Sequence, residues 1–396
     1  MPVISFKRSD LEILLGRYFS SEGELAAALN RLKGEVEGIS GDDVAFEVTH
    51  DRPDLFSVEG IARSLKGLFR IEVGLPKLNL ASTGFKLIAE NVPNRPYIMM
   101  GIVRDLKLDD EAIRQMIQLQ EKLHATYGRD RRKMAIGFYD VDNIKSPLTY
   151  RLERLDAIKY RPLESDREMN GIEVIEGTEK GRLYGKYAIY DNKAPIIIDA
   201  EGRILVIIPV LGSEDFKVTE RTRNVLIDVT ATDLRLAKSI LAVLVYNLLE
   251  RSSSRTVEIV NINAPWGNLE SPGLNPLEIK LSIKFVNEYL GLNLSKDDIV
   301  NYLLASRHDV VDYGEELLVK IASYRFNVLH PVDVVEDIAV AYGYENIPRE
   351  LPPQPIRGAR DGLSVFADFV RDLMIGLGFQ EVLNYMMSNK DVMIRR

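Results

Sequence analysis

Apolar positions along the chain repeat in two registers, and each switch between them marks a change of element. Val44, Phe46 and Val48 alternate strictly, as a half-buried strand requires, whereas Leu55, Val58, Ile61, Ala62, Leu65 and Leu68 recur at helical spacing. A further helical run covers residues 22–32, and Ser9 with Asp10 offers a cap for an earlier helix. Residues 1–80 therefore read as a small α+β module.

Gly74-Leu75-Pro76-Lys77 and the polar residues up to Gly84 read as a linker. Residues 85–262 are then rich in strands: 97–103, 148–155, 172–175 and an apolar pair, PIIIDAEGRILVIIPV, turning at Glu201-Gly202. One helix falls at 110–127. Another starts at Thr232 or Asp233 as cap, with Leu236, Ile240, Leu241, Leu244 and Leu248 as its stripe.

A linker rich in Pro, Gly and Asn, 264–276, leads into a module at 277–350. Its order is strand (277–281), helix (283–290), Ser295 as cap, helix (297–305), strands near Val310 and Leu318, and a last helix. In that helix Pro331 suits the first turn, Val332, Val335, Ile338, Ala339 and Tyr342 form the stripe, and Gly343 offers the stop. Two short helices followed by strands have the order of a DNA-binding fold, but the face is not basic enough for that role, and a DNA-binding-like module that serves subunit packing is the favoured reading. Leu351-Pro352-Pro353-Gln354-Pro355 is a stiff linker, and residues 356–396 read as helix, glycine turn and strand. The fold class is multi-domain α+β.

Composition narrows the function. With 46% hydrophobic and 28% charged residues the chain is of ordinary globular make-up, and its longest apolar run is far below the ~20 residues of a membrane helix. The amino terminus lacks a signal-peptide pattern, so a cytoplasmic location is expected. The absence of cysteine excludes disulfides, thiolate catalysis and cysteine-based zinc sites. A net charge of −8 argues against coating nucleic acid by bulk electrostatics, although a local basic patch still meets RNA.

Three stretches carry candidate chemistry. Asp333, Glu336 and Asp337 fall at i, i+3 and i+4 of the last helix, so three carboxylates share a face, either simply solvated or binding a hard divalent cation such as Mg²⁺. Arg129, Arg131, Arg132 and Lys133 crowd one loop, either a solvated turn or a clamp for phosphate. Between Ile207 and Leu241, Ser213, Glu214, Asp215, Thr219, Asp228, Thr230, Thr232 and Asp233 surround a strand pair and a helix start. No histidine or lysine neighbours Ser213 in sequence as a base, so its hydroxyl positions rather than attacks.

The string RFNVLHPVDVVEDIAVAYGYENI, from Arg325 to Ile347, resembles the signature of the phenylalanyl-tRNA synthetase β subunit in its archaeal and eukaryotic form. HDRPDLFSVEGIARSLKG resembles that family's amino-terminal module, and the stretches around 120–140 and 205–241 resemble its editing module. The resemblance implies a chain that pairs with an α subunit as a heterotetramer of two α and two β. It further implies that ATP and phenylalanine bind on the α subunit and that this chain would edit tRNA(Phe) by hydrolysing tyrosine wrongly esterified to it.

An apolar pocket made for phenylalanine rejects an isostere with one added hydroxyl by only roughly 10², so a second site is needed. By resemblance, Gln120 and Arg131 hold the terminal adenosine or its phosphates and Leu205 and Pro209 shape the wall. Ser213, Thr232 and Asp233 position the ester and the attacking water. Asn327, Asp333, Glu336 and Asp337 would form a Mg²⁺ site near the α-subunit contact, with Asn327 where an aspartate is usual. Gly212, Asp215, Phe216 and Arg235 also depart from the family pattern, so the alternative is a scaffold that binds tRNA and the α subunit with a lapsed editing site. Residues 356–396 resemble the beginning of a class II-like core.

Overall fold

A computed structural model describes residues 2–351 and 357–395; most of the stiff linker expected at 351–355 lies outside them. The chain forms two compact units, one ending at Ile347 and one starting at Pro348.

The first unit opens with an antiparallel sheet in which Asp43–Val48 lies between Val3–Lys7 and Gly34–Ser40. Its first helix is Arg8–Leu15, with Lys7 at the cap position and no side-chain cap, so Ser9 and Asp10 do not cap it. Ser9 instead donates through its amide and hydroxyl to Asp42, and Asp10 is buried, receiving both terminal nitrogens of Arg251 at 2.7 Å. Tertiary partners override the local cap there.

Helix Val58–Leu68 inserts against the bend at Pro53–Leu55, an approach that requires Gly60, since a Cβ there would lie 1.6 Å from the Asp54 carbonyl oxygen. Val58, Ile61, Ala62 and Leu65 of the stripe read from the sequence form its buried face, with Leu55 in the preceding bend and Leu68 half-buried, and one continuous core runs from Phe6 and Leu65 into the sheets that follow.

Two sheets make up the centre. The first runs in the order Asn79–Ala81, Thr256–Glu258, Tyr97–Val103, Val225–Ala231, Met134–Asp140. The second runs Leu211–Gly212, Ile204–Ile207, Lys193–Ile198, Leu148–Arg154, Lys86–Ala89, Val260–Ala264, Gly267–Ser271. Helix Leu234–Leu249 packs on Tyr97–Val103 and Val225–Ala231. Asn79–Ala81 and Gly267–Ser271 fall in stretches expected to be linkers; their polar composition reflects edge strands with one face in water.

Residues 172–175, expected as a strand, lie in helix Gly171–Gly177, followed by helix Glu179–Ala188. Asn170 and Glu173 form a reciprocal capping box, a local signal that outweighs a four-residue apolar pattern too short to fix a period.

The segment after Pro276 has its own core, with Leu281, Leu303, Val319 and Ile338 at its centre. Glu316–Ile321 pairs antiparallel with Leu277–Ser282 and Asp309–Asp312. Helices Ile283–Leu290, Lys296–Ala305 and Pro331–Tyr342 close over this sheet, with Ser295 in a capping box and Pro331 in the first turn as expected.

In the second unit Asp361 caps helix Gly362–Gly376 and Gly378 turns with φ 89°. The strand expected after it does not form among the described residues, which end in helix Lys390–Arg395. A strand needs a neighbour for its backbone groups, and these residues are exposed.

Candidate editing site and acidic helix

Helix Asp110–Ala125 ends in a turn where Arg129, Asp130 and Arg131 are all left-handed, with φ of 47°, 54° and 61°. Each such residue costs about 1–2 kcal/mol, so the surroundings must hold the turn. They do so through the His124 carbonyl, which accepts from the Asp130 amide at 2.9 Å, and the Gly128 carbonyl, which accepts from Lys133 at 2.8 Å. The buried Arg95 donates to the Arg131 carbonyl at 2.7 Å.

The Arg131 side chain turns inward. Its guanidinium donates to the carbonyls of Pro209 (3.1 Å) and Val210 (3.2 Å) and to Glu121 (2.6 Å), and lies 4.5 Å above the Tyr184 ring. Burial pushes Glu121 up, but the His124 contact and the Arg131 charge outweigh it, and its pKa falls to about 2. Burial lowers His124 to about 4. Its Nε2 accepts from the Ile136 amide, which assigns the ring proton to Nδ1, facing Glu121. Arg131 is thus committed to internal partners, whereas Arg129, Arg132 and Lys133 are exposed.

Gln120 is half-buried and donates to the Ile136 carbonyl at 2.7 Å. Across the paired strands, the Thr232 amide donates to Lys133 at 3.0 Å, and Asp233 caps its helix by accepting from Leu236 at 2.8 Å. Thr232 and Asp233 are both exposed. The fold therefore gathers Gln120, Arg131, Pro209, Thr232 and Asp233 around the end of strand Met134–Asp140.

Ser213 and Leu205 are both buried and bonded to each other across their strand pair. Leu205 is a fully buried core residue whose carbonyl accepts from the Ser213 amide at 2.8 Å. The Ser213 hydroxyl is buried and accepts from Asp215 at 3.2 Å, and among the described residues no hydrogen bond joins it to Thr232 or Asp233. Asp215 pairs with Arg161 at 2.8 Å, Phe216 is buried, and a Cβ at Gly212 would meet Leu163 at an ordinary 3.4 Å.

Glu121, Tyr184, Arg95 and the buried pair in which Tyr139 donates to Asp228 at 2.7 Å are brought together only by the fold and share no sequence spacing. Burial raises Asp228 to about 7. Glu121 carried the one usable signal, an acid one helical turn before His124.

In the acidic helix Pro331–Tyr342 the carboxylates diverge. Asp333 accepts from the amides of Leu329 (2.7 Å) and His330 (2.8 Å), and Glu336 pairs with Lys33 at 3.0 Å. Asp337 is buried, with both oxygens 2.8 Å from an Arg325 nitrogen and one 2.8 Å from His308 Nε2. Although burial raises its pKa, the Arg325 charge and the His308 contact hold it far below the carboxylate range. Asn327 Oδ1 accepts from Arg325 Nε at 3.1 Å.

These four side chains do not fit a shared Mg²⁺: each is taken, and among the described residues no three His, Asp or Glu side chains are grouped to hold a metal. Cavities of about 340 and 410 Å³ flank the helix, the first against Arg31 and Lys33, the second against Tyr289 and Tyr344. Among the described residues no helix is long and apolar enough to cross a membrane.

Residues 279–344, the module bearing the acidic helix, match the tRNA synthetase B5 domain. The chain is 46% identical over 393 residues to the phenylalanine–tRNA ligase beta subunit of Pyrobaculum aerophilum, covering 99% of this chain and 73% of that one. Its identity to the Methanocaldococcus jannaschii beta subunit is 38% over 402 residues, covering 100% of this chain and 72% of that one. A crystal structure of an N-terminal fragment of the phenylalanyl-tRNA synthetase beta subunit from Pyrococcus horikoshii superposes with a TM-score of 0.82 at 34% identity, covering 87% of this chain and all of that one. The chain belongs to the phenylalanine–tRNA ligase beta subunit family.

Proposed function

We propose that the chain acts as the β subunit of a phenylalanine–tRNA ligase and carries its editing site. It joins an α subunit, two of each, and the α subunit uses ATP and phenylalanine to charge tRNA(Phe). Residues 85–262 hydrolyse the mischarged tyrosyl ester, 277–350 form a DNA-binding-like packing module, and 356–396 begin a class II-like core. The observation that carries the editing reading is the gathering of Gln120, Arg131, Pro209, Thr232 and Asp233 at one strand end in a chain of this family.

Arg131 then acts by fixing the left-handed turn, which presents Arg129, Arg132 and Lys133 to phosphate oxygens. Thr232 and Asp233 face solvent and orient water at the ester. Ser213 shapes the hairpin beneath them. The scaffold reading is favoured by one specific feature, the buried Ser213 hydroxyl engaged with Asp215.

Co-elution of the chain with an α subunit, and phenylalanylation of tRNA(Phe) by the mixture alone, tests the assembly. A chain that neither associates nor supports charging contradicts it. Hydrolysis of tyrosyl-tRNA separates editing from scaffold.

A further inference from the structure

We infer that the Arg325 guanidinium serves as the built-in cation of the acidic helix, so that the B5 module holds its shape and docks on the amino-terminal module without a divalent metal. The guanidinium bonds two of the four oxygen-bearing side chains that a metal would need, donating from Nε to Asn327 and from one terminal nitrogen to both oxygens of Asp337. Arg325 is 4% exposed, and His308 Nε2 shares one of those Asp337 oxygens with the guanidinium, so both oxygens are engaged. A divalent ion would have to expel a buried cation to reach these atoms.

The remaining two acids are spent elsewhere. Asp333 binds backbone amides at the helix start, and Glu336 reaches out of the module to Lys33, which also pairs with Asp51 at 2.7 Å. Arg31 donates to the Ala341 carbonyl at 3.1 Å, a second tie between the same two modules. Beneath them Arg52 and Asp54 form a buried fork at 2.9 and 2.8 Å, and the charge of Arg52 acts on Asp337.

The two sequence strings that stand out, HDRPD and RFNVLHPVDVVED, thus meet in one buried charge network. Arg325 balances Asp337, and a neutral amide at Asn327 suits a guanidinium whose charge is already matched. An aspartate there would add a second anion to a pair that is complete.

The test is thermal unfolding of the full chain with excess Mg²⁺ or with EDTA at constant ionic strength, with calorimetric titration of Mg²⁺ alone. The expected result is a midpoint that differs by less than about 1 °C and no saturable heat. Stoichiometric Mg²⁺ binding, or a midpoint raised by several degrees and no longer raised in Asp337→Asn, overturns the proposal. Arg325→Lys keeps the charge and loses the fork, and should lower the midpoint by roughly 3 °C or more in either condition. An unchanged midpoint in that variant also overturns it.

Discussion

The Arg131 guanidinium reaches across 78 residues of sequence to the Pro209 carbonyl oxygen at 3.1 Å, joining the left-handed turn to the rim of the second central sheet. Arg131→Ala removes that tie, leaves Glu121 without its closest cation and frees a strained turn. We expect a loss of about 2 kcal/mol in urea unfolding, at the lower end for a broken pair because Glu121 is partly exposed. A loss below about 0.5 kcal/mol would show the contact to be ornamental.

Gly137 lies where strand Met134–Asp140 passes the buried Tyr139–Asp228 pair. A Cβ there would stand 2.2 Å from the Tyr139 hydroxyl oxygen and 2.7 Å from Asp228 Oδ1. Gly137→Ala should therefore cost about 1–3 kcal/mol by overpacking, read as a lower urea midpoint. An unchanged midpoint would mean that the pair is free to move aside.

His124 and Asp228 give the fold two opposed pH slopes. Burial holds His124 at about 4 against an ordinary 6.5, so as pH falls through this window the unfolded chain gains a proton that the folded chain refuses, and stability is lost. Asp228 is raised to about 7 against 3.8, so falling pH in its window protonates the folded chain first, and stability is gained. The slopes nearly cancel between pH 6.5 and 5. Asp228→Asn removes one of them, and its stability should drop by about 2 kcal/mol across that window while the unsubstituted chain changes little. Parallel profiles would contradict the assignment.

Local signals carried much of the fold. Helix Ile283–Leu290 and strand Tyr97–Val103 fall where the periodicity placed them, and Asp233, Ser295 and Pro331 open helices because a short side-chain oxygen or a fixed φ suits that position. Long-range pairings were not legible. Asp10 reads as a cap until Arg251 claims it, and Asp333, Glu336 and Asp337 read as one acidic face until His330, Lys33 and Arg325 separate them. In the candidate site, Thr232 and Asp233 were visible as a strand end followed by a cap. Arg131 was visible only as charge, since spacing does not reveal that its guanidinium turns inward.

Deacylation of tyrosyl-tRNA(Phe), followed in parallel with Asp233→Asn, is the most direct measurement of the editing reading. Asn keeps the oxygen that caps helix Leu234–Leu249 and removes the charge, so the variant stays folded. Tyrosine should be released well above the uncatalysed rate, with a loss of roughly 10²-fold or more in Asp233→Asn. A time course no faster than buffer, or equal hydrolysis by chain and variant, would contradict that reading.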